Sequence, residues 1–284
     1  MERIHEKHRS IVALIGLAAA GALALSASAS GQLLDDFEDG NDDGWYRFYY
    51  GDGIEPGWAV VDANTKVYRL WATDTEPSPP LTRVGSYLEI TEDPSFSNGH
   101  WWTTVVRENE NTDFFLVMRG DLATLSGYGY GWSWEDELNI IRVAYGEVQA
   151  VLASTPFDME VGEEYIVEAG ALRDHLELRM WPVGEDRPDL PQVEATGPEF
   201  ASGVNAVLAR SNHAGYFSAT FDNVSFSDVC MSDITGDGTV NVKDLLRVVH
   251  AFGSCDDCPE DVNLDGLVDV DDLLEVVHNF GPCP

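Results

Sequence analysis

The chain has 284 residues, of which 50 are Asp or Glu and only 16 are Lys or Arg, giving a formal net charge of −34. So acidic a balance excludes electrostatic capture of nucleic acid or of an anionic membrane surface as the main activity. Outside the C-terminal loops described below, the scattered carboxylates read as a solvated face.

Arg3, Lys7 and Arg9 precede an uncharged apolar run, Ile11 to Leu25, which ends in the small-residue triplet Ala27-Ser28-Ala29. This order predicts a signal peptide over residues 1–29, cleaved before Ser30. The mature chain is then expected to be secreted or held at the cell surface. No later apolar run is long enough to span a bilayer.

Residues 30–228 read as one all-β domain. Candidate strands are Lys66–Thr73, Ser86–Thr91, Trp101–Arg107, Asp113–Arg119, Tyr128–Trp134, Leu138–Tyr145, Glu164–Ala169, His175–Trp181, Asn205–Arg210 and Gly215–Phe226. Several alternate, as Leu176, Leu178 and Met180 do against Glu177, Arg179 and Trp181, and Gly- and Pro-rich turns separate them. Many short strands of this kind argue a sandwich or jelly roll. The domain opens Leu34-Asp35-Asp36-Phe37-Glu38-Asp39-Gly40 and closes Phe221-Asp222-Asn223-Val224-Ser225-Phe226. These ends resemble the concanavalin A-like (LamG-type) jelly roll, which implies an opening strand lying beside the closing one.

The stretch Gly127 to Trp134 alternates small and aromatic residues. In a strand, Tyr128, Tyr130, Trp132 and Trp134 share one face, and three glycines and a serine share the other. Rings in such a row can stack on the C–H faces of sugars, and Trp101 and Trp102 form a second aromatic cluster. Two readings stand: the six rings are a glycan platform, or they fill the sandwich core with the glycines balancing their bulk.

Glycoside hydrolysis needs a pair of suitably spaced carboxyl groups. Jelly-roll glucanases carry Glu-x-Asp-x-Glu on one strand, whereas the nearest segment here is Trp134-Glu135-Asp136-Glu137, which lacks that spacing. The histidines beyond the expected signal segment, His100, His175, His213, His250 and His278, are dispersed and form no zincin pattern. No catalytic residue is assigned.

Residues 229–284 contain one unit written twice, twenty-eight residues apart. Asp233, Asp237, Gly238 and Asp244 recur as Asp261, Asp265, Gly266 and Asp272. Each copy places oxygen ligands at alternate positions of a twelve-residue loop. The first set is Asp233, Thr235, Asp237, Thr239 through its carbonyl, Asn241 and Asp244. The second is Asp261, Asn263, Asp265, Leu267 through its carbonyl, Asp269 and Asp272. Calcium favours such oxygen sets, and a glycine at position six allows the turn around the ion. Val240 and Val268, at position eight, are expected to pair the two loops with each other. Leu245, Val248, Val249 and Phe252 then recur at helical spacing, with Gly253 as the stop.

A loop followed by a single helix, duplicated, with Asp at the last ligand, resembles a type I dockerin across Asp233–Gly281. The resemblance implies two bound Ca2+ ions and docking to a cohesin-like domain of another exported protein. Its partner-reading positions correspond to Val242, Lys243 and Arg247 in one copy and to Val270, Asp271 and Glu275 in the other. In a two-fold pair of such units the start of one lies beside the end of the other's helix, so Cys230–Cys283 and Cys255–Cys258 disulfides are expected, with a four-cysteine zinc site as the alternative.

The resulting expectation is an exported protein that binds polysaccharide or a surface glycan through its sandwich and docks through its C-terminal module. A glycoside hydrolase or lyase acting on polysaccharide is one alternative. A structural or adhesive protein without a sugar ligand is the other.

Overall fold

The computed structural model describes residues 32–283 apart from 51–53, 75–81, 89–97, 134, 212, 214, 229, 236–237, 256–257 and 264–265. The expected signal segment and the site residues Trp134, Asp237 and Asp265 therefore lie outside the described residues. Gly31–Pro284 form one compact unit.

Among the described residues, fifteen strands make up most of it. The first five are β1 (Gln32–Asp35), β2 (Trp45–Tyr50), β3 (Ile54–Asp62), β4 (Lys66–Asp74) and β5 (Thr82–Leu88). The next five are β6 (Gly99–Arg107), β7 (Asp113–Asp121), β8 (Ser126–Ser133), β9 (Glu137–Ala144) and β10 (Glu147–Pro156). Then come β11 (Tyr165–Leu172), β12 (His175–Pro182), β13 (Val193–Thr196), β14 (Val204–Ser211) and β15 (Gly215–Asp228). They form two antiparallel sheets. One runs β13-β12-β11-β6-β15-β4-β3 with β1 also on β15, and the other runs β10-β9-β8-β7-β14-β5-β2. The molecule is thus a mainly β jelly-roll sandwich.

Period-two patterning explains the layers. On β8 the rings of Tyr128, Tyr130 and Trp132 point inward and meet Leu116, Leu138, Ile140, Leu176 and Leu178 in one core shared by both sheets. At the domain's start, β1 pairs with the end of β15, Gln32 opposite Phe226 and Leu33 opposite Ser225. The acidic run after it turns rather than extends. Asp35 Oδ1 accepts from the Phe37 amide at 2.8 Å, and Phe37 drops into the core against Tyr68, ring centroids 5.1 Å apart.

Four strands escape the sequence reading, each for a local reason. Strand β2 is almost all aromatic and shows no alternation. Strand β3 contains Pro56 and Gly57, tolerated because it is an edge strand; a Cβ on Gly57 would sit 2.0 Å from the Trp71 ring. Strand β10 is an edge with few large apolar residues, and β13 has four residues.

The C-terminal segment carries its own core, built on Val240, Val248, Val262, Val268 and Val276. It comprises β16 (Thr239–Val240), α1 (Val242–Ala251), β17 (Gly253–Ser254), β18 (Leu267–Val268), α2 (Val270–His278) and β19 (Gly281–Pro282). Cys230 is bonded to Cys283 and Cys255 to Cys258, with Cα atoms 5.8 and 5.9 Å apart. One expectation fails here. Val240 and Val268 do not pair the loops with each other: Val240 pairs with Gly281 and Val268 with Gly253. Each loop strand lies along the chain leaving the other copy's helix, so the position-eight valines enter the small core from two separate ribbons.

Arg173, in the β11–β12 turn, joins the sandwich to this segment. Its Nη2 donates to the carbonyls of Cys258 at 2.7 Å and Asp261 at 2.9 Å.

Candidate functional site

The aromatic row is corrected first. Tyr128, Tyr130, Trp132 and Trp101 are essentially inaccessible. They cannot form a glycan platform, because the apolar face of β8 and β6 is the one that seals the two sheets together. Trp132 Nε1 donates to the Phe157 carbonyl at 2.9 Å, and the Arg107 guanidinium lies 4.1 Å from its ring centroid. The Tyr128 hydroxyl donates to Glu199 Oε2 and accepts from the amides of Glu199 and Phe200. Trp102, on the outer face of β6, is half-buried.

The glycine face of β8 is the one that opens outward. Gly127 and Gly129 floor a hollow on the outer side of the seven-stranded sheet, with Phe115, Ile141, Leu208 and Arg83 around them. The curl of this sheet makes the hollow. Flat, its edge strands β2 and β10 would stand about 29 Å apart, at six spacings of about 4.8 Å. Instead the Tyr50 hydroxyl of β2 lies 3.5 Å from Glu147 Oε1 of β10. The hollow has a volume of about 80 Å3, an open seat rather than an enclosed cavity. Small residues are needed beneath it, since a Cβ on Gly129 would come within 2.9 Å of Ile141. At one end, Arg83 and Arg210 stand directly opposite each other across β5 and β14, and Arg210 Nε donates to Asp113 Oδ2 at 2.9 Å.

On the outer face of the other sheet, Glu168 of β11 meets two guanidinium groups and an imidazole. Arg187 donates to both its oxygens at 2.6 Å, Arg179 Nη1 lies 3.4 Å away and His100 Nδ1 2.9 Å away. Burial pushes the Glu168 carboxyl up, but Arg187 and His100 outweigh it and hold it at about 2. His100, Glu168 and Glu177 could in principle gather around a metal. The guanidinium groups already beside Glu168 and Glu177 fill that role as ion pairs. Glu135 is exposed in a turn and Glu137 begins β9 opposite Ser133, so they face no cleft together.

The two C-terminal loops are wired alike. Asp244 Oδ1 accepts from the amide and hydroxyl of Thr235, both at 2.9 Å, and its Oδ2 from the Asn241 amide at 2.8 Å. Asp272 Oδ1 accepts from the Asn263 amide at 3.0 Å and Oδ2 from the Asp269 amide at 2.8 Å. At the loop start, Gly238 N donates to Asp233 Oδ2 and Gly266 N to Asp261 Oδ2. Both glycines take left-handed backbone, φ +82° and +87°, as the turn requires. Asp244 and Asp272 are fully buried, and among the described residues neither has an ion-pair partner. Burial pushes the Asp244 carboxyl up, yet the donors from Asn241 and Thr235 bring it below its ordinary value. Asn241 and Asp269 also cap α1 and α2. The carbonyl position Thr239 lies in β16 and Leu267 in β18.

The helices repeat a second feature. Val242, Leu246 and Val249 on α1, and Val270, Leu274 and Val277 on α2, are between 45% and 59% exposed. Of the residues at helical spacing, Val249 and Phe252 are exposed; Val248 and its copy Val276 are the buried members. Lys243 and Arg247 flank one stripe, and Asp271 and Glu275 the other, all exposed. The hollow and Arg83 had a weaker sequence signal. Arg83 stands ahead of the strand read over Ser86–Thr91, so its face was unassigned, although the glycine alternation of β8 did mark the floor.

No protein-family model and no curated protein matches this chain. Solved structures of similar fold include the carbohydrate-binding module CBM66 from Bacillus subtilis, 16% identical over 64% of this chain and 94% of that one, TM-score 0.47. The Bacillus licheniformis β-glucanase is 12% identical over 72% of this chain and 100% of that one, TM-score 0.46. The family 11 carbohydrate-binding module of the cellulosomal cellulase Lic26A-Cel5E of Clostridium thermocellum is 12% identical over 72% and 97%, TM-score 0.38. At these values the likeness is one of strand layout alone.

Proposed function

We propose that this is an exported protein whose residues 229–284 form a dockerin-like, calcium-binding module that docks to a cohesin-like domain of another exported protein. Its β-sandwich, residues 30–228, holds a polysaccharide. The observation that carries the docking half is the twice-repeated loop that ends in a buried aspartate, Asp244 or Asp272, with no ion-pair partner among the described residues. Buried carboxylates without a cation are costly. A calcium ion in each loop would supply the missing positive charge. The first would be held by Asp233, Thr235, Asp237, the Thr239 carbonyl, Asn241 and Asp244, and the second by Asp261, Asn263, Asp265, the Leu267 carbonyl, Asp269 and Asp272. The two disulfides suit an oxidising, extracellular setting.

The exposed apolar stripes on α1 and α2 are the surfaces offered to the partner. They are matched in shape and opposed in charge, so one face should dominate for any charged partner. The glycan half rests on the outward hollow, where ring edges and apolar floor suit the C–H face of a sugar.

The test is capture of the chain lacking residues 1–29 by a panel of cohesin domains, with calcium and with chelator. Calcium-dependent capture that is weakened by Leu246→Asp or by Leu274→Asp, but not equally by both, is expected. Capture unaffected by chelator, or none across the panel, overturns the docking reading. Retention on a polysaccharide panel without release of reducing sugar is expected of the sandwich; release would favour the hydrolase alternative.

A further inference from the structure

The hollow on the seven-stranded sheet holds a buried cation, Arg83, with no ion-pair partner among the described residues; Glu147 is the acidic group whose charge acts on it. Arg83 is 5% exposed, lines the hollow, and has a buried Nη2 with no hydrogen-bond partner. Its cross-strand neighbour is another cation, Arg210, and like charges facing each other across a ladder are unfavourable. Asp113, the carboxylate at this end, is engaged by Arg210. Tyr50 offers Arg83 a ring face at 5.5 Å. Glu147 meets the Tyr50 hydroxyl at the rim, and Asp121 lines the hollow as well. Burial, followed by Arg210, lowers the Arg83 guanidinium to about 10, which still leaves it charged at neutral pH.

A buried guanidinium nitrogen without a hydrogen-bond acceptor is expensive to maintain, and the planar fork matches a carboxylate or sulfate oxygen pair. The half-buried rings beside it, Tyr50 and Phe48, suit the apolar face of a sugar ring. We infer that the hollow is a subsite for an acidic sugar, whose carboxylate or sulfate ester pairs with Arg83 while its ring lies against Tyr50. This inference rests on the reading that the sandwich binds polysaccharide, and it names the class of sugar that the site selects. The chain's net charge of −34 opposes the approach of a polyanion, so any preference for acidic polymers must come from the subsite itself.

The test compares retention of the full mature chain on polygalacturonate, alginate and a sulfated galactan with retention on neutral galactan and xylan, all at one salt concentration. One acidic class should bind at least about tenfold more tightly than the neutral polymers, in keeping with a charge-assisted hydrogen-bonded pair. The uronate and sulfate arms decide which acid it is. Arg83→Met should abolish the preference while leaving the melting temperature unchanged or raised, since it removes a buried charge with no ion-pair partner among the described residues. Arg83→Lys should keep part of the preference, because the charge stays and the fork is lost. Neutral polymers bound as tightly as acidic ones, or an Arg83→Met chain with the preference intact, would overturn the acidic subsite and leave the polysaccharide reading standing. Retention on no polymer would overturn both.

Discussion

Trp132 separates the two readings of the aromatic row most sharply. It is 1% exposed, its indole N–H is bonded to the Phe157 carbonyl at 2.9 Å, and Arg107 lies over its ring. Trp132→Ala removes the largest kind of side chain from a close-packed core, which costs about 3–5 kcal/mol. It also strands the Phe157 carbonyl and the face of Arg107, whose Nε already has no partner; an orphaned buried acceptor adds about 1 kcal/mol or more. A total near 5 kcal/mol is a large part of the roughly 5–15 kcal/mol that stabilises a typical domain. For a domain of this size it amounts to a fall in melting temperature on the order of 10–20 °C. Trp132→Phe keeps most of the ring and loses the hydrogen bond, so a drop of about 1–2 kcal/mol is expected. Urea unfolding followed by tryptophan fluorescence and far-UV circular dichroism measures both. Folded Trp132→Ala protein should bind polysaccharide as the parent does, because Gly131, not Trp132, lies on the outward face. A variant that melts within a few degrees of the parent yet loses polysaccharide binding would refute the assignment of these rings to the core.

Three further outcomes follow from the same structure. The Glu168 carboxyl titrates at about 2 in the folded chain against an ordinary 4.5, so its stabilisation is complete above about pH 5 and is lost as the pH falls toward 2. That loss is on the order of 3 kcal/mol and should be absent from the acid unfolding curve of Glu168→Gln. Gly238→Ala and Gly266→Ala force a side chain into left-handed backbone at φ +82° and +87°; each should cost about 1–2 kcal/mol and weaken one calcium site in a titration. Arg173→Ala removes both donors to the Cys258 and Asp261 carbonyls, so hydrogen exchange over residues 258–263 should speed up while the strands of the sandwich keep their protection.

Much of the sandwich is legible in the sequence because its central strands must alternate to seal two sheets, as Leu176, Leu178 and Met180 do on β12. The edges are not legible, since β2, β3 and β10 have only one neighbour and little need to alternate. Alternation also fixes which residues of β8 share a face without saying which face is inside. The choice falls on the rings because they meet Leu176 and Leu178 of the opposite sheet, residues brought near only by the completed fold. The loops differ in kind. The spacing of the loop oxygens and the position-six glycine are properties of twelve consecutive residues, so local sequence carries them whole. Where the position-eight valines go depends on how the two copies stack, and the loops turned out to bond the opposite helix's exit. The Arg83 site was beyond reach for the same reason: its neighbours Tyr50 and Arg210 come from strands far away in sequence.

The most direct test of the calcium-dependent module is a calorimetric titration of chelator-treated mature chain with calcium, paired with thermal melts at saturating calcium and in chelator. Two ions per chain and a C-terminal transition that rises by several degrees are expected, since ligand at a hundredfold over its dissociation constant stabilises by about 2.7 kcal/mol per site. Asp244→Ala and Asp272→Ala should each remove one ion. No heat of binding and superimposable melts with and without calcium would contradict the account.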